Sequence, residues 1–200
     1  MPRSARWKGR ARIEAHKKWD LISIASIPLT MTLANSMLIP VLPAMQKALH
    51  ITPFQASLVI TAYAAVAILF IPIAGFLSDR YGRKAVILPG LLLVAAAGVC
   101  AGLAAIWSDR SYGWIMAARL VQGLGSAGFF PVVLPLVGDL FRREEDVSSG
   151  LGLVETANTF GKVLSPILGA ALAMWAWYVP FFAIPAFSLV SFVMVLALVR

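Results

Sequence analysis

The sequence predicts an all-α polytopic membrane bundle of six transmembrane helices, and composition, run structure and charge placement each point there. Of 200 residues, 60% are hydrophobic and 13% charged, against roughly 45–50% and about 25% in an average soluble domain. Mean hydropathy is +0.84. A soluble fold of this size has too little interior to hide that much apolar surface. Soluble enzymes, disordered chains and disulfide scaffolds are therefore excluded. The apolar runs are continuous rather than alternating, which argues for helices and against a strand barrel.

The chain opens on a basic tail, residues 1–20, holding Arg3, Arg6, Lys8, Arg10, Arg12, Lys17 and Lys18. Charges then mark the ends of the spans, which read 21–43, 54–77, 85–107, 112–138, 148–175 and 179–199. Each exceeds the minimum of about 17 residues for crossing the hydrocarbon. The first run is too long for a signal-peptide core and lacks a small-x-small cleavage site, so it reads as a retained span. An even number of spans puts both ends on one side. Thirteen Lys and Arg lie there, in the tail, at Arg80, Arg83 and Lys84, at Arg142 and Arg143, and at Arg200; only Lys47 and Arg110 lie opposite. The positive-inside rule makes both termini cytoplasmic. Nucleic acid is not an expected partner, because the basic charge belongs to the bilayer boundary. Trp107, Tyr112, Trp114, Trp175, Trp177 and Tyr178 fall at the outer ends as an interfacial belt.

The 2–3 connection reads Gly75-Phe76-Leu77-Ser78-Asp79-Arg80-Tyr81-Gly82-Arg83-Lys84. Gly75 permits close helix contact, and Gly82 gives the backbone freedom that a sharp turn needs. Asp79 ends a helix, where the dipole disfavours an anion. It therefore calls for a partner such as Arg83, another arginine or a helix N-terminus. The pattern G-x-L-S-D-R-x-G-R-K resembles the signature loop of the major facilitator superfamily. That resemblance implies that Asp79, Arg80, Arg83 and Lys84 form a conformational switch, clasping this half to a helix of the other half in one state.

The fourth span carries Arg119 about seven residues from its outer end, with Gln122 one turn on and Gly123, Gly125 and Gly128 beyond. A charge at that depth costs a few kcal/mol unless it meets a wet cavity or a partner; snorkelling to the outer surface is the alternative. R-x-x-Q-G-x-G also resembles the fourth-helix motif of proton-coupled members of the superfamily, where the arginine is implicated in proton transfer.

In the fifth span Glu155, Asn158, Thr159 and Lys162 share one helix face. A lipid-facing stripe of that kind is costly, so it is expected to line the interior, with water or Asn158 between the two charges. It serves either a proton and cargo site or a static polar network. Ala157, Gly161, Ser165 and Gly169 form a stripe of small residues for helix packing, bent at Pro166. Gly161-x-x-x-Ser165-Pro166-x-x-Gly169-Ala170 resembles the fifth-helix antiporter motif, with Ser165 and Ala170 in place of glycines. The first span lacks the acidic residue that many drug exporters of the superfamily carry and has Thr30, Thr32, Ala34, Asn35 and Ser36 instead.

The resemblance implies a secondary transporter, a proton-coupled exporter of a small organic compound or drug working by alternating access in the plasma membrane. A metabolite importer of the same superfamily and a non-transporting fragment are the alternatives. Arg119 and Glu155 are the proton-coupling candidates; Asn35, Tyr63, Gln122, Asn158 and Lys162 are the cargo-cavity candidates. An intramembrane enzyme is disfavoured, because the only histidines, His16 and His50, lie in the tail and an outer loop. No cofactor or metal site is expected. Transporters of this pattern have two six-helix halves, and the resemblance covers one. The chain is therefore expected to be a fragment, or a half-transporter that needs a missing second half or a dimer mate.

Overall fold

The computed structural model describes residues 3–107, 111–141 and 144–198, excluding the side chains of 3–18, 130, 145 and 198. The charge assignments at Arg110, Arg142, Arg143 and Arg200, and the side chains of the basic tail, lie outside the described residues.

Among them the chain forms eight α-helices and one 3₁₀ turn: α1 (Arg3–Ser36), the turn Ile39–Val41, α2 (Leu42–Leu49), α3 (Pro53–Tyr81), α4 (Arg83–Trp107), α5 (Ser111–Ser126), α6 (Phe129–Leu140), α7 (Glu144–Ala173) and α8 (Val179–Leu198). Among the described residues, five stretches are long and apolar enough to cross a membrane: Trp19–Leu49, Pro53–Tyr81, Arg83–Trp107, Ser111–Leu140 and Val179–Ala197. The 30-residue α7 has the length. Glu155, Asn158 and Lys162 hold down its apolarity.

The helix breaks follow from proline. Pro40 has no N–H to give the carbonyl of Ser36, and α1 stops at Ser36. Pro131 cannot serve the carbonyl of Ala127, and the fourth span, read from the sequence as one helix, splits there into α5 and α6. Within the described residues the tail is not a separate segment, since α1 runs unbroken from Arg3. At the α2–α3 corner His50 takes a left-handed cap conformation. Thr52 and Gln55 then exchange a capping box that starts α3.

Packing centres on α1 and α4. The first lies against α7, α8 and α6, the second against α5 and α8, while α3 lies along α5. Small residues set these approaches. A side chain at Gly90 would run into the carbonyl oxygen of Gly125, and one at Gly125 into that of Gly90, which brings α4 and α5 backbone to backbone. A Cβ at Gly123 would meet α3 at Tyr63 and Val66. Along the α7 stripe Gly161 faces Leu29 and Thr32, the Ser165 hydroxyl donates to the Leu33 carbonyl at 3.3 Å, and a Cβ on Gly169 would overlap the Met37 carbonyl. Pro166 is exposed beside that seam. Helix α3 is different, because only 17% of its apolar window is buried. Phe54, Ile68, Leu69 and Phe76 stand out from it. Such a surface belongs in lipid or against another helix.

Candidate polar site across three helices

Arg119 lies two turns into α5 and has no exposed surface at all, so it does not snorkel. Its Nε donates to the Val59 carbonyl of α3 at 3.0 Å. Its Nη1 donates to Gln122 Oε1 at 2.7 Å and to the Ala34 carbonyl at 3.4 Å. Its Nη2 donates to Asn35 Oδ1 at 2.9 Å. The guanidinium carbon stands 4.4 Å from the centre of the Tyr63 ring, a cation–π contact. The planar fork of arginine is what allows one side chain to serve acceptors on three helices. Ala34 sits in the last turn of α1, where carbonyls are left over and the helix dipole favours a cation. The carboxylate-free shell is notable: Arg119 is held by amides, carbonyls and a ring. Gln122 is fully buried and gives its Nε2 to the Val94 carbonyl of α4 at 3.4 Å. The Tyr63 hydroxyl is also buried, beside Ser126 but outside hydrogen-bonding geometry.

Three residues before Asn35, on the same helix, the Thr32 hydroxyl donates to Asn158 Oδ1 of α7 at 2.6 Å. Asn158 Nδ2 in turn donates to Glu155 Oε1 at 3.1 Å. The two groups predicted separately, one on the fourth span and one on the fifth, thus meet on α1. Its Asn35 contacts Arg119, and its Thr32 contacts Asn158. Asn158 and Thr32 are buried, while Glu155 is exposed. Lys162 is exposed on α7 and makes no ion pair among the described residues, so Asn158 bridges to Glu155 but not onward to Lys162. Glu155 and Thr159 line a shallow open depression with Gly152, Thr156, Phe160 and Val163. The stripe is therefore half inside and half open, rather than wholly interior.

A second charged group closes the α3–α4 turn. Gly82 has φ 97° and ψ 153°, a region that side chains other than glycine rarely enter. Arg83 pairs with Asp79 through Nη1, and the same nitrogen donates to Ser78 Oγ at 3.2 Å. Its Nε reaches Asp139 at the end of α6 at 3.4 Å. Arg80 stacks over Tyr81, 5.5 Å from the ring centre. Lys84 is half-buried just beyond the turn. Gly75 corrects an expectation: a Cβ there would meet nothing within 4 Å, so it makes no close helix contact among the described residues. Asp139 and Thr32 are the participants that sequence reasoning missed. The first had a legible signal, a carboxylate at the same membrane level as the basic loop. The second is one of several hydroxyls on α1, and only packing selects it.

A family model described as Major Facilitator Superfamily matches residues 24–200. The chain is similar to the bacillibactin exporter of Bacillus subtilis (strain 168), 57% identical over 163 residues that cover 81% of this chain and 40% of that protein. It is also similar to the quinolone resistance protein NorA of Staphylococcus aureus (strain N315), 25% identical over 168 residues that cover 84% of this chain and 42% of that one. Among solved structures, the human organic anion transporter MFSD10 (TETRAN) shares the fold, with TM-score 0.73 and 22% identity over 92% of this chain and 48% of that chain. The chain spans less than half the length of each of these relatives. The family and these relatives are transporters, not enzymes. With the family model covering nearly the whole chain, this protein belongs to the major facilitator superfamily.

Proposed function

We propose that the chain is a six-helix unit of a proton-coupled exporter of a small organic compound, working by alternating access with a second six-helix unit. The observation that carries this reading is the polar chain Gln122–Arg119–Asn35 and Thr32–Asn158–Glu155, which spans α5, α1 and α7. Through α1 it links the buried Arg119 to the face of α7 that carries the exposed Glu155 carboxylate. Polar and ionisable groups at membrane depth are expensive, and by default they mark a path for an ion or a substrate. Arg119 and Glu155 are the proton-coupling residues in this reading. Asn35, Tyr63, Gln122, Asn158 and Lys162 are cargo contacts, with Lys162, which makes no ion pair among the described residues, as the cation for an anionic group.

The export direction is supported by similarity to a bacillibactin exporter, and bacillibactin is the first cargo to test. Asp79, Arg80, Arg83 and Lys84 act as the switch loop, with Gly75 presenting an open face to the second unit. The unit sits in the plasma membrane with both termini cytoplasmic, as the thirteen-to-two distribution of Lys and Arg supports. Everted vesicles test the reading. Acidifying the lumen should drive bacillibactin inward, and Arg119→Ala or Glu155→Gln should each abolish the gradient dependence. Unchanged gradient-driven uptake in both variants overturns it.

A further inference from the structure

Helices α3 and α4 both pack on α5 and touch each other little. Glycines set this. Gly123 lets α3 approach α5 at Tyr63 and Val66, and Gly90 against Gly125 does the same for α4. The gap between α3 and α4 is faced by small residues, Ala74, Ala85 and Gly90, which do not fill it. The result is a slot of about 190 Å³, open on one side, with wholly apolar lining side chains and α5 as its floor. A cavity of about 150 Å³ lined in this way already holds a benzene-sized apolar molecule. Ile73, Leu77, Leu93 and Leu124 are exposed along its walls, a surface that suits hydrocarbon rather than water.

Length and charge choose the occupant. Along α4 the slot runs from Ala85 to Leu93, eight residues or about 12 Å, close to the roughly 15 Å of hydrocarbon in one leaflet. At its mouth, Arg83 is shared by Asp79 and Asp139. Lys84, directly before Ala85, and Arg80, one turn beyond Leu77, make no ion pair among the described residues. The slot also lies off the face assigned to the second unit. Phe70, Ile73, Ala74 and Leu77 form one stripe of α3, and Gly75 lies about 100° round the helix from Ala74, away from that stripe.

We propose that the slot holds an acyl chain of an anionic phospholipid, with the lipid phosphate between Lys84 and Arg80. Basic residues at the membrane surface attract anionic lipid, and the apolar walls take the chain. A zwitterionic lipid offers the same chain without the net charge, so the head group decides between the two. The site stands apart from the ion and the cargo that the protein moves.

The test uses the purified full chain in nanodiscs that contain a phosphatidylglycerol with a photoreactive diazirine in its acyl chain, and maps the adducts by mass spectrometry. Labelling should concentrate on Ile73, Leu77, Pro89 and Leu93, over the more exposed Leu69 and Val193. Unlabelled phosphatidylglycerol should suppress slot labelling better than phosphatidylcholine with the same chains. Lys84→Gln should cut that advantage about fivefold, the effect of one basic residue near an anionic surface. Ala85→Phe sets a ring in the slot and should remove most of the labelling there. If it folds poorly, Ala85→Leu should lower the labelling in the same direction. Adducts spread evenly over the exposed apolar surface overturn the proposal. So does a slot that phosphatidylcholine protects equally well, or an unlabelled slot, as a second chain seated on it would leave it.

Discussion

Replacing Arg119 by lysine keeps the charge and removes the fork. The guanidinium reaches Val59 O, Gln122 Oε1, Asn35 Oδ1 and Ala34 O at 3.0, 2.7, 2.9 and 3.4 Å, from three nitrogens pointing three ways. A lysine has one nitrogen and can reach about two of those acceptors at once, so two bonds are lost. Hydrogen bonds between membrane helices average about 0.6 kcal/mol each, and charge-assisted ones start at about 1.5 kcal/mol. Arg119→Lys should therefore cost between about 1 and about 3 kcal/mol. The cation–π contact with Tyr63 survives in kind, since an ammonium also sits over a ring. Unfolding of the purified chain by SDS in mixed micelles measures the difference. A cost below about 0.5 kcal/mol would mean that the guanidinium is not held in this shell, and the α5–α1–α3 junction would need another explanation.

The remaining predictions concern packing and the switch loop. Gly169→Ala should cost about 1–3 kcal/mol in the same assay, because its Cβ meets the Met37 backbone carbonyl, which cannot rotate away. Gly152→Ala on the same helix, with nothing within 4 Å, should be neutral or gain up to about 1 kcal/mol of helix propensity. Gly82→Ala should lose about 1–3 kcal/mol from forcing a Cβ into its backbone conformation. Gly75→Ala should leave stability intact, since a Cβ there meets nothing within 4 Å, while lowering transport in the same vesicles if its open face meets the second unit as proposed. Asp139→Asn removes the exposed end of the Arg83 bridge and should change stability by no more than about 1 kcal/mol. Its effect should appear instead as a changed rate of transport.

What the sequence made legible is what a single helix carries in its own register. Arg119 and Gln122 are one turn apart, and the pattern alone put them on one face. The Ala157–Gly161–Ser165–Gly169 stripe likewise announced a packing seam, and α1 fills it. The apolar runs were legible because charges interrupt the sequence between them. What stayed hidden depended on the neighbour. The carbonyls of Val59 and Ala34 hold Arg119, and a backbone acceptor has no letter of its own. Thr32 differs from Thr30 only in facing α7 rather than α8, where Thr30 pairs with Ser191 at 2.7 Å. The kink between α5 and α6 was written in Pro131, but a kink and a continuous proline-bearing helix look alike until packing decides. Pro135 and Pro185 lie inside unbroken helices.

The central claim is that cargo exchange is tied to a proton on Glu155, and proton release tests it most directly. The complete transporter, purified in weakly buffered detergent solution with a pH-sensitive dye, is mixed with bacillibactin in the absence of any gradient. The account predicts release of a proton as cargo binds, absent in Glu155→Gln. Cargo binding without proton release in the wild-type protein, at every pH tested, contradicts it.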